Sequence, residues 1–283
     1  MFGERIDYLL LRPLTHDRNR ATEAELQERA DRTPFDASAA HGRLDKLLRR
    51  LEGHLQVVPE LRYLDVGCGT GDLTLALSLA GATDVTGIDL LERNVRAARH
   101  ACGAIDRGNA PEFVHGDVVT WRPSGRFDVI VSHEALEHID HPDRFLSSLS
   151  ALMSPQGRAV LAFGPLFHSL LGDHQWGYFR VQIPWRPLLF SERAIAALRR
   201  ERFRPDEDGH HLRGLNRMRY SEFIRYVRMA GLEFEFLSVN PQLERIPGLH
   251  ALSRGMVSLP WIQDYVAGSV YCVLRRAESR PSE

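Results

Sequence analysis

Between Leu61 and Phe163 the chain alternates short apolar runs with amphipathic stretches, and this alternation restricts the fold more than any other feature of the sequence. Strand-like runs fall at Leu61–Val66, Asp84–Ile88, Glu112–His115, Phe127–Val131 and Arg158–Phe163. Helical spacing falls between them, at Leu73–Ala80, Leu91–Cys102 and Pro142–Met153, and Arg43–Leu55 supplies a helix in front. Strands separated by helices in this way form βαβ units, and hence a parallel sheet covered on both faces. The expected class is therefore α/β, a Rossmann-like sheet. Of 283 residues 43% are hydrophobic and 26% charged, a balance that supports a packed core and excludes disordered or fibrous readings.

Around this core the chain divides by pattern. Residues 1–40 are polar and mixed, with Glu23–Arg32 helix-like, and are expected to form an arm or lid. Residues 41–164 carry the α/β core. The alternation stops at Gly164-Pro165, and 165–220 reads as a cap insertion, aromatic and arginine-rich, with a basic helix at Ser191–Arg204. Residues 221–283 return to the core through a helix at Ser221–Ala230, a run at Leu232–Val239 and a last strand near Ser269–Arg275. The apolar, proline-punctuated stretch 241–264 is either a further lid piece or a homodimer contact.

Directly after the first strand stands Leu64-Asp65-Val66-Gly67-Cys68-Gly69-Thr70-Gly71, opening a helix. Three glycines permit a tight turn and let a ligand approach the backbone at the helix N-terminus. Asp89 closes the second strand, where a carboxylate can accept both hydroxyls of a ribose, and Asp117 follows the third. The glycines are spaced G-x-G-x-G, not the G-x-G-x-x-G of dinucleotide binders.

This motif, with its acidic residue two positions before the first glycine, resembles the class I S-adenosylmethionine-dependent methyltransferases. The resemblance covers Leu61–Phe163 well and the C-terminal strands loosely. It implies a seven-stranded sheet with an antiparallel last strand. It also implies S-adenosylmethionine as cofactor, with Gly67, Gly69 and Gly71 at its methionine portion, Asp89 on the ribose, and Asp117 with Val118 at the adenine. Asp65, Leu90 and Ser132 complete the expected cofactor-binding set.

After the fourth strand comes His133-Glu134-Ala135-Leu136-Glu137-His138. The stretch admits two readings. In one it is simply the way many small-molecule methyltransferases begin the next helix. In the other, Glu134, Glu137 and His138 lie at i, i+3 and i+4 on one helical face and offer two hard oxygens and an imidazole to a divalent ion. Gly172-Asp173-His174 adds a second histidine from the cap. The combination E-x-x-E-H with G-x-H looks like two methyltransferase groups, those of ubiquinone biosynthesis and of small-RNA 3′-terminal 2′-O-methylation. That likeness implies magnesium or a similar ion held by Glu134, Glu137, His138 and His174, and a substrate with two adjacent hydroxyls. His133, His141 or His168 is the candidate to take the proton, His133 standing nearest the motif, with His138 and His174 as further catalytic candidates.

The expected function is methyl transfer from S-adenosylmethionine to a hydroxyl of a small sugar, polyol or catechol. RNA ribose methylation, a metal-free enzyme and a non-methylating cofactor-binding protein are the alternatives. Thirty-six basic and thirty-seven acidic residues leave a net charge of −1, which counts against nucleic acid because phosphate contacts dominate that affinity. Arg186, Arg193, Arg199, Arg200, Arg202 and Arg204 are interleaved with acids and read first as a solvated face. Trp176 and Trp185 either stack on a substrate ring or pack the cap. Cys68, Cys102 and Cys272 are too few and scattered for a disulfide framework, and no run suits a membrane span or signal peptide, so a reducing, cytoplasmic setting is expected.

Overall fold

A computed structural model describes residues 2–16, 22, 24–25, 28, 35–103, 110–175, 177–203, 214–241, 252 and 255–278. In chain order these give α1 (Phe2–Leu11), α2 (Ala37–Arg50), β1 (Arg62–Val66), α3 (Asp72–Leu79), β2 (Asp84–Asp89) and α4 (Glu92–Gly103). There follow β3 (Glu112–His115), β4 (Phe127–His133), α5 (Pro142–Leu152), β5 (Met153–Phe163), α6 (Arg186–Leu189) and α7 (Glu192–Arg202). The chain ends with α8 (Tyr220–Met229), β6 (Leu232–Asn240), α9 (Gln263–Val266) and β7 (Ser269–Arg276). Most of the expected Glu23–Arg32 helix, Trp176, Arg204 and residues 242–251 lie outside the described residues.

All seven strands join one sheet in the order β3-β2-β1-β4-β5-β7-β6. The first five pair in parallel, and β7 runs antiparallel between β5 and β6. This is the Rossmann-like arrangement that the alternation and the methyltransferase resemblance imply. Side chains alternate across the strands because Cβ direction reverses at each residue. Leu64 and Val66 of β1 therefore join Phe145, Leu149 and Phe223 on one face. Tyr63 joins Leu44, Leu47, Leu73 and Leu77 on the other.

One boundary moves. The expected fifth strand begins at Arg158 and its helix runs to Met153, whereas α5 stops at Leu152 and β5 starts at Met153. The extra strand length is taken up by a register irregularity between Phe127 and Val129, and Pro155 inside the run forbids further helix.

The order reverses at β1, which has β2 on one side and β4 on the other. Loops leaving the carboxyl ends of these two strands part there and open a crevice, the usual ligand position in an open α/β sheet. A separate apolar cluster of Leu11, Phe167, Phe179, Ile195, Leu198 and Leu215 joins α1 to α7 and to the stretch after β5. Thr15 bridges Phe179, and Arg12 pairs with Glu201 at 3.0 Å. No helix among the described residues is long and apolar enough to cross a membrane.

Candidate active site

The turn after β1 is held from inside. Gly67 N and Cys68 N both donate to the Ile88 carbonyl, at 2.8 and 3.1 Å, which pins the glycine loop to β2. Gly67 has φ +74, and a Cβ there would stand 2.6 Å from the Ala135 Cβ, so only glycine fits between the β1 and β4 loops. Gly71, the N-cap of α3, has φ +89, and a Cβ would meet Ala98 at 2.9 Å. Beneath the turn, Asp65 is buried and accepts from Thr74 Oγ1 at 2.7 Å. Burial pushes its carboxyl up to about 7, against the opposing pull of the Thr74 hydrogen bond.

Asp89 turns back onto the loop. Its Oδ2 accepts from Gly69 N at 2.9 Å, and its Oδ1 from Leu91 N at 2.8 Å and Asn94 Nδ2 at 3.1 Å. Three of its roughly four acceptor directions are therefore occupied within the protein. Leu90 is exposed beside it, Asp117 is exposed with Oδ1 on Val119 N, and Val118 is buried in the core. Ser132 is buried and donates to the Val66 carbonyl at 3.0 Å, tying β4 to β1.

A cavity of about 190 Å³ opens between these elements, lined by Asp65, Gly67, Cys68, Gly69, Thr70, Asp72 and Leu73 on one side and by His133 and Glu134 on the other. Arg43 of α2 completes the wall. Its guanidinium pairs with Asp72 at 3.1 Å, and no motif marked it, because in the sequence it only begins an amphipathic helix. His133 at the end of β4 is held below the ordinary imidazole range, chiefly by burial. It lines the cavity beside the glycine turn.

The acidic and histidine stretch departs from expectation. No helix spans Glu134–His138: Glu134 has φ +54 and donates its N–H to Ala162 O at 2.7 Å, prolonging the sheet contact, and only Leu136–His138 forms a 3₁₀ turn. The expected single helical face therefore does not exist. Glu137 is 3% exposed, accepts from Gly164 N at 3.1 Å through Oε1, and leaves Oε2 without a partner. Burial pushes its carboxyl up to about 7, with the backbone hydrogen bonds pulling the other way.

His174 does come to this place from the cap. Its ring lies 5.9 Å from that of His138, edge to face. One nitrogen of each ring is held by a backbone carbonyl, His138 Nδ1 by Gly214 O at 2.9 Å and His174 Nε2 by Pro165 O at 2.8 Å. Among the described residues no three His, Cys, Asp or Glu side chains converge closely enough to hold an ion. His168 is tied to Arg217 O at 3.2 Å. His141 precedes α5 without capping it through its side chain.

The cap arginines are not one solvated face. Arg186 is 1% exposed, pairs with the equally buried Asp173 at 2.8 Å and lies over the Phe179 ring at 3.7 Å. Arg199 is buried against Gln175 and Tyr178. Trp185 donates Nε1 to Tyr265 O at 2.8 Å, which ties the cap to α9.

Residues 15–202 match the family described as "Methyltransferase domain". The chain belongs to this methyltransferase family. A ubiquinone biosynthesis O-methyltransferase, mitochondrial, of Arabidopsis thaliana is 38% identical over 103 residues, 36% of this chain and 32% of that protein. The Bordetella avium protein of the same biosynthesis name is 37% identical over 112 residues, 39% of this chain and 44% of its own. The chain thus spans less than half the length of these relatives. An S-adenosylmethionine-dependent methyltransferase structure from Mesorhizobium loti superposes with TM-score 0.52 at 18% identity, covering 81% of this chain and 96% of that one, and shares the fold.

The methyltransferase domain thus carries the glycine turn on a fold that it shares with an S-adenosylmethionine-dependent methyltransferase.

Proposed function

We propose that the methyltransferase moves the sulfonium methyl group of S-adenosylmethionine to a hydroxyl of a small molecule bearing two adjacent hydroxyls, such as a catechol, polyol or sugar. The observation that carries this reading is the half-buried His133, its imidazole held below the ordinary range, lining a small cavity with Gly67 and Gly69. An alcohol or phenol becomes a competent nucleophile when its proton is accepted as attack begins, and an imidazole held below its ordinary pKa is free to accept it. The O-methyltransferase names of the relatives support the same reaction.

In this reading Asp89, Gly67 and Gly69 seat the nucleoside and methionine portions, with Leu90, Asp117 and Val118 at the base. Arg43 is the cation available to the amino-acid carboxylate. Asp65 and Ser132 act from beneath, one bracing the turn through Thr74 and the other tying β4 to β1. A divalent ion such as magnesium belongs to the proposal as well. His138 and His174 each have one ring nitrogen fixed by a carbonyl, the orientation that metal-binding imidazoles commonly show, and Glu137 keeps a buried oxygen unpartnered. Glu134, Glu137, His138 and His174 are the residues that would hold it, and because no three of them converge in this structure they would have to draw together to do so. When bound, such an ion acidifies a hydroxyl and orients two adjacent oxygens.

The test is transfer of a labelled methyl group to 3,4-dihydroxybenzoate and to 4-hydroxybenzoate, with magnesium or with EDTA. Ring O-methylation of the first alone, abolished by EDTA and lowered roughly 10² to 10⁴-fold by His133→Ala, is expected. Methyl arriving only on carboxylate or nitrogen would exclude the hydroxyl reading. An undiminished rate in EDTA would remove the ion from it.

A further inference from the structure

We infer that Asn216 is a positioning residue of the methyltransferase, a clamp that sets the Glu137–His138 turn and ties the seating of the cap to it. The inference rests on the reading of Glu137 and His138 as part of the acceptor end of the site.

Both ends of the 165–216 segment reach the same residue. Where the chain leaves β5, Gly164 N donates to Glu137 Oε1 at 3.1 Å. Where it returns, Asn216 N donates to the Glu137 carbonyl at 2.9 Å. The Asn216 side chain then grips the turn on either side, with Nδ2 donating to Leu136 O at 2.5 Å and to Ile139 O at 2.9 Å, while Oδ1 accepts from Met218 N at 3.0 Å. Two residues earlier, Gly214 O holds His138 Nδ1.

The turn has little of its own to hold it. Only His138 N to Ala135 O and Ile139 N to Leu136 O close it internally, and a single 3₁₀ turn is a weak element. What directs the Glu137 carboxylate and the His138 imidazole is therefore largely external. Asparagine suits the place chemically: two donors meet two carbonyls and one acceptor meets an N–H. Aspartate at the same spot sets an acceptor-only carboxylate against two carbonyls. Glutamine carries the amide one methylene too far. No motif in the sequence flags Asn216.

The experiment uses the full chain and three variants, Asn216→Ala, Asn216→Asp and, as control, Glu222→Ala. Glu222 accepts from Arg219 N at the start of α8, so its loss loosens the same stretch of chain without touching the turn. Amide exchange across 134–140 is expected to quicken roughly 10–100-fold in both Asn216 variants, the size of the two hydrogen bonds lost from Nδ2, and to stay unchanged in the control. S-adenosylhomocysteine affinity is expected to hold. Turnover of 3,4-dihydroxybenzoate is expected to fall about 10–100-fold, as when an orienting partner of a site residue is removed, with kcat affected more than KM.

Unchanged exchange, unchanged kcat, or a matching kcat loss in Glu222→Ala would each overturn the clamp. If Asn216→Ala does not fold, Asn216→Ser is read by the same measurements. If the wild-type chain leaves the catechol unmethylated, the proposed reaction fails, while amide exchange still decides on the clamp.

Discussion

At the cofactor end the tying contacts are short in sequence: Thr74 reaches back nine residues to Asp65, and Gly69 meets Asp89 twenty residues on. At the acceptor end they are long. Gly164 meets Glu137 across 27 residues, Gly214 meets His138 across 76, and Asn216 meets Leu136 across 80. The glycine turn is the product of one βαβ unit, whose geometry fixes the spacing of its residues, and Ser132 of β4 joins it from 66 residues away. The acceptor end is assembled only when the cap returns to the sheet. A change in the cap should therefore disturb acceptor chemistry and stability while sparing the glycine turn, and a change in the turn should do the reverse.

The largest effect should come from the cap. Arg186→Ala leaves the Asp173 carboxylate buried without its partner and should cost about 3–5 kcal/mol in denaturant unfolding. Cofactor affinity measured under conditions where the variant is folded should hold. If it falls as far as stability does, the two ends are not separable.

Asp89→Ala is the reciprocal test. It removes the acceptor of Gly69 N, Leu91 N and Asn94 Nδ2, and hydrogen bonds to a charged group contribute roughly 1.5–3 kcal/mol each, so cofactor Kd should rise at least tenfold by calorimetry. An unchanged Kd would show that this carboxylate does not organise the cofactor end.

A further effect concerns pH. The Asp65 carboxyl is raised to about 7 by burial, above its unfolded value, so between roughly pH 4 and 7 the folded state binds the extra proton. Its contribution is full below the unfolded pKa and is lost as pH rises through 7. Stability should decline over that window by up to about 1.4 kcal/mol per pH unit from this group, and Asp65→Asn should flatten the decline. A decline equally steep in the variant would place the titration elsewhere.

The sheet could be read almost whole from the chain. Alternating apolar runs specify strands and helices, the order of βαβ units specifies parallel pairing, and the glycine spacing marks the first turn. What misled was local. Glu134-Ala135-Leu136-Glu137-His138 has helical spacing, but Glu134 prefers the sheet contact with Ala162, and the helix waits until Pro142. Arg186 reads as one more basic residue among acids, yet the cap folds it inward onto Asp173 and Phe179. Burial of a charge depends on which segments enclose it, and no window of sequence contains that.

By itself, then, the sequence determined the α/β class and the glycine turn, and singled out the acids and histidines that follow the fourth strand. Tertiary structure alone decided that His138 and His174 face each other, that Arg43 lines the cavity beside the glycine turn, and that Asn216 closes on the Glu137 turn. The physical reason is range. Periodicity and motif spacing encode contacts made within one or two elements, whereas these three are made between side chains that only chain closure over the sheet brings together.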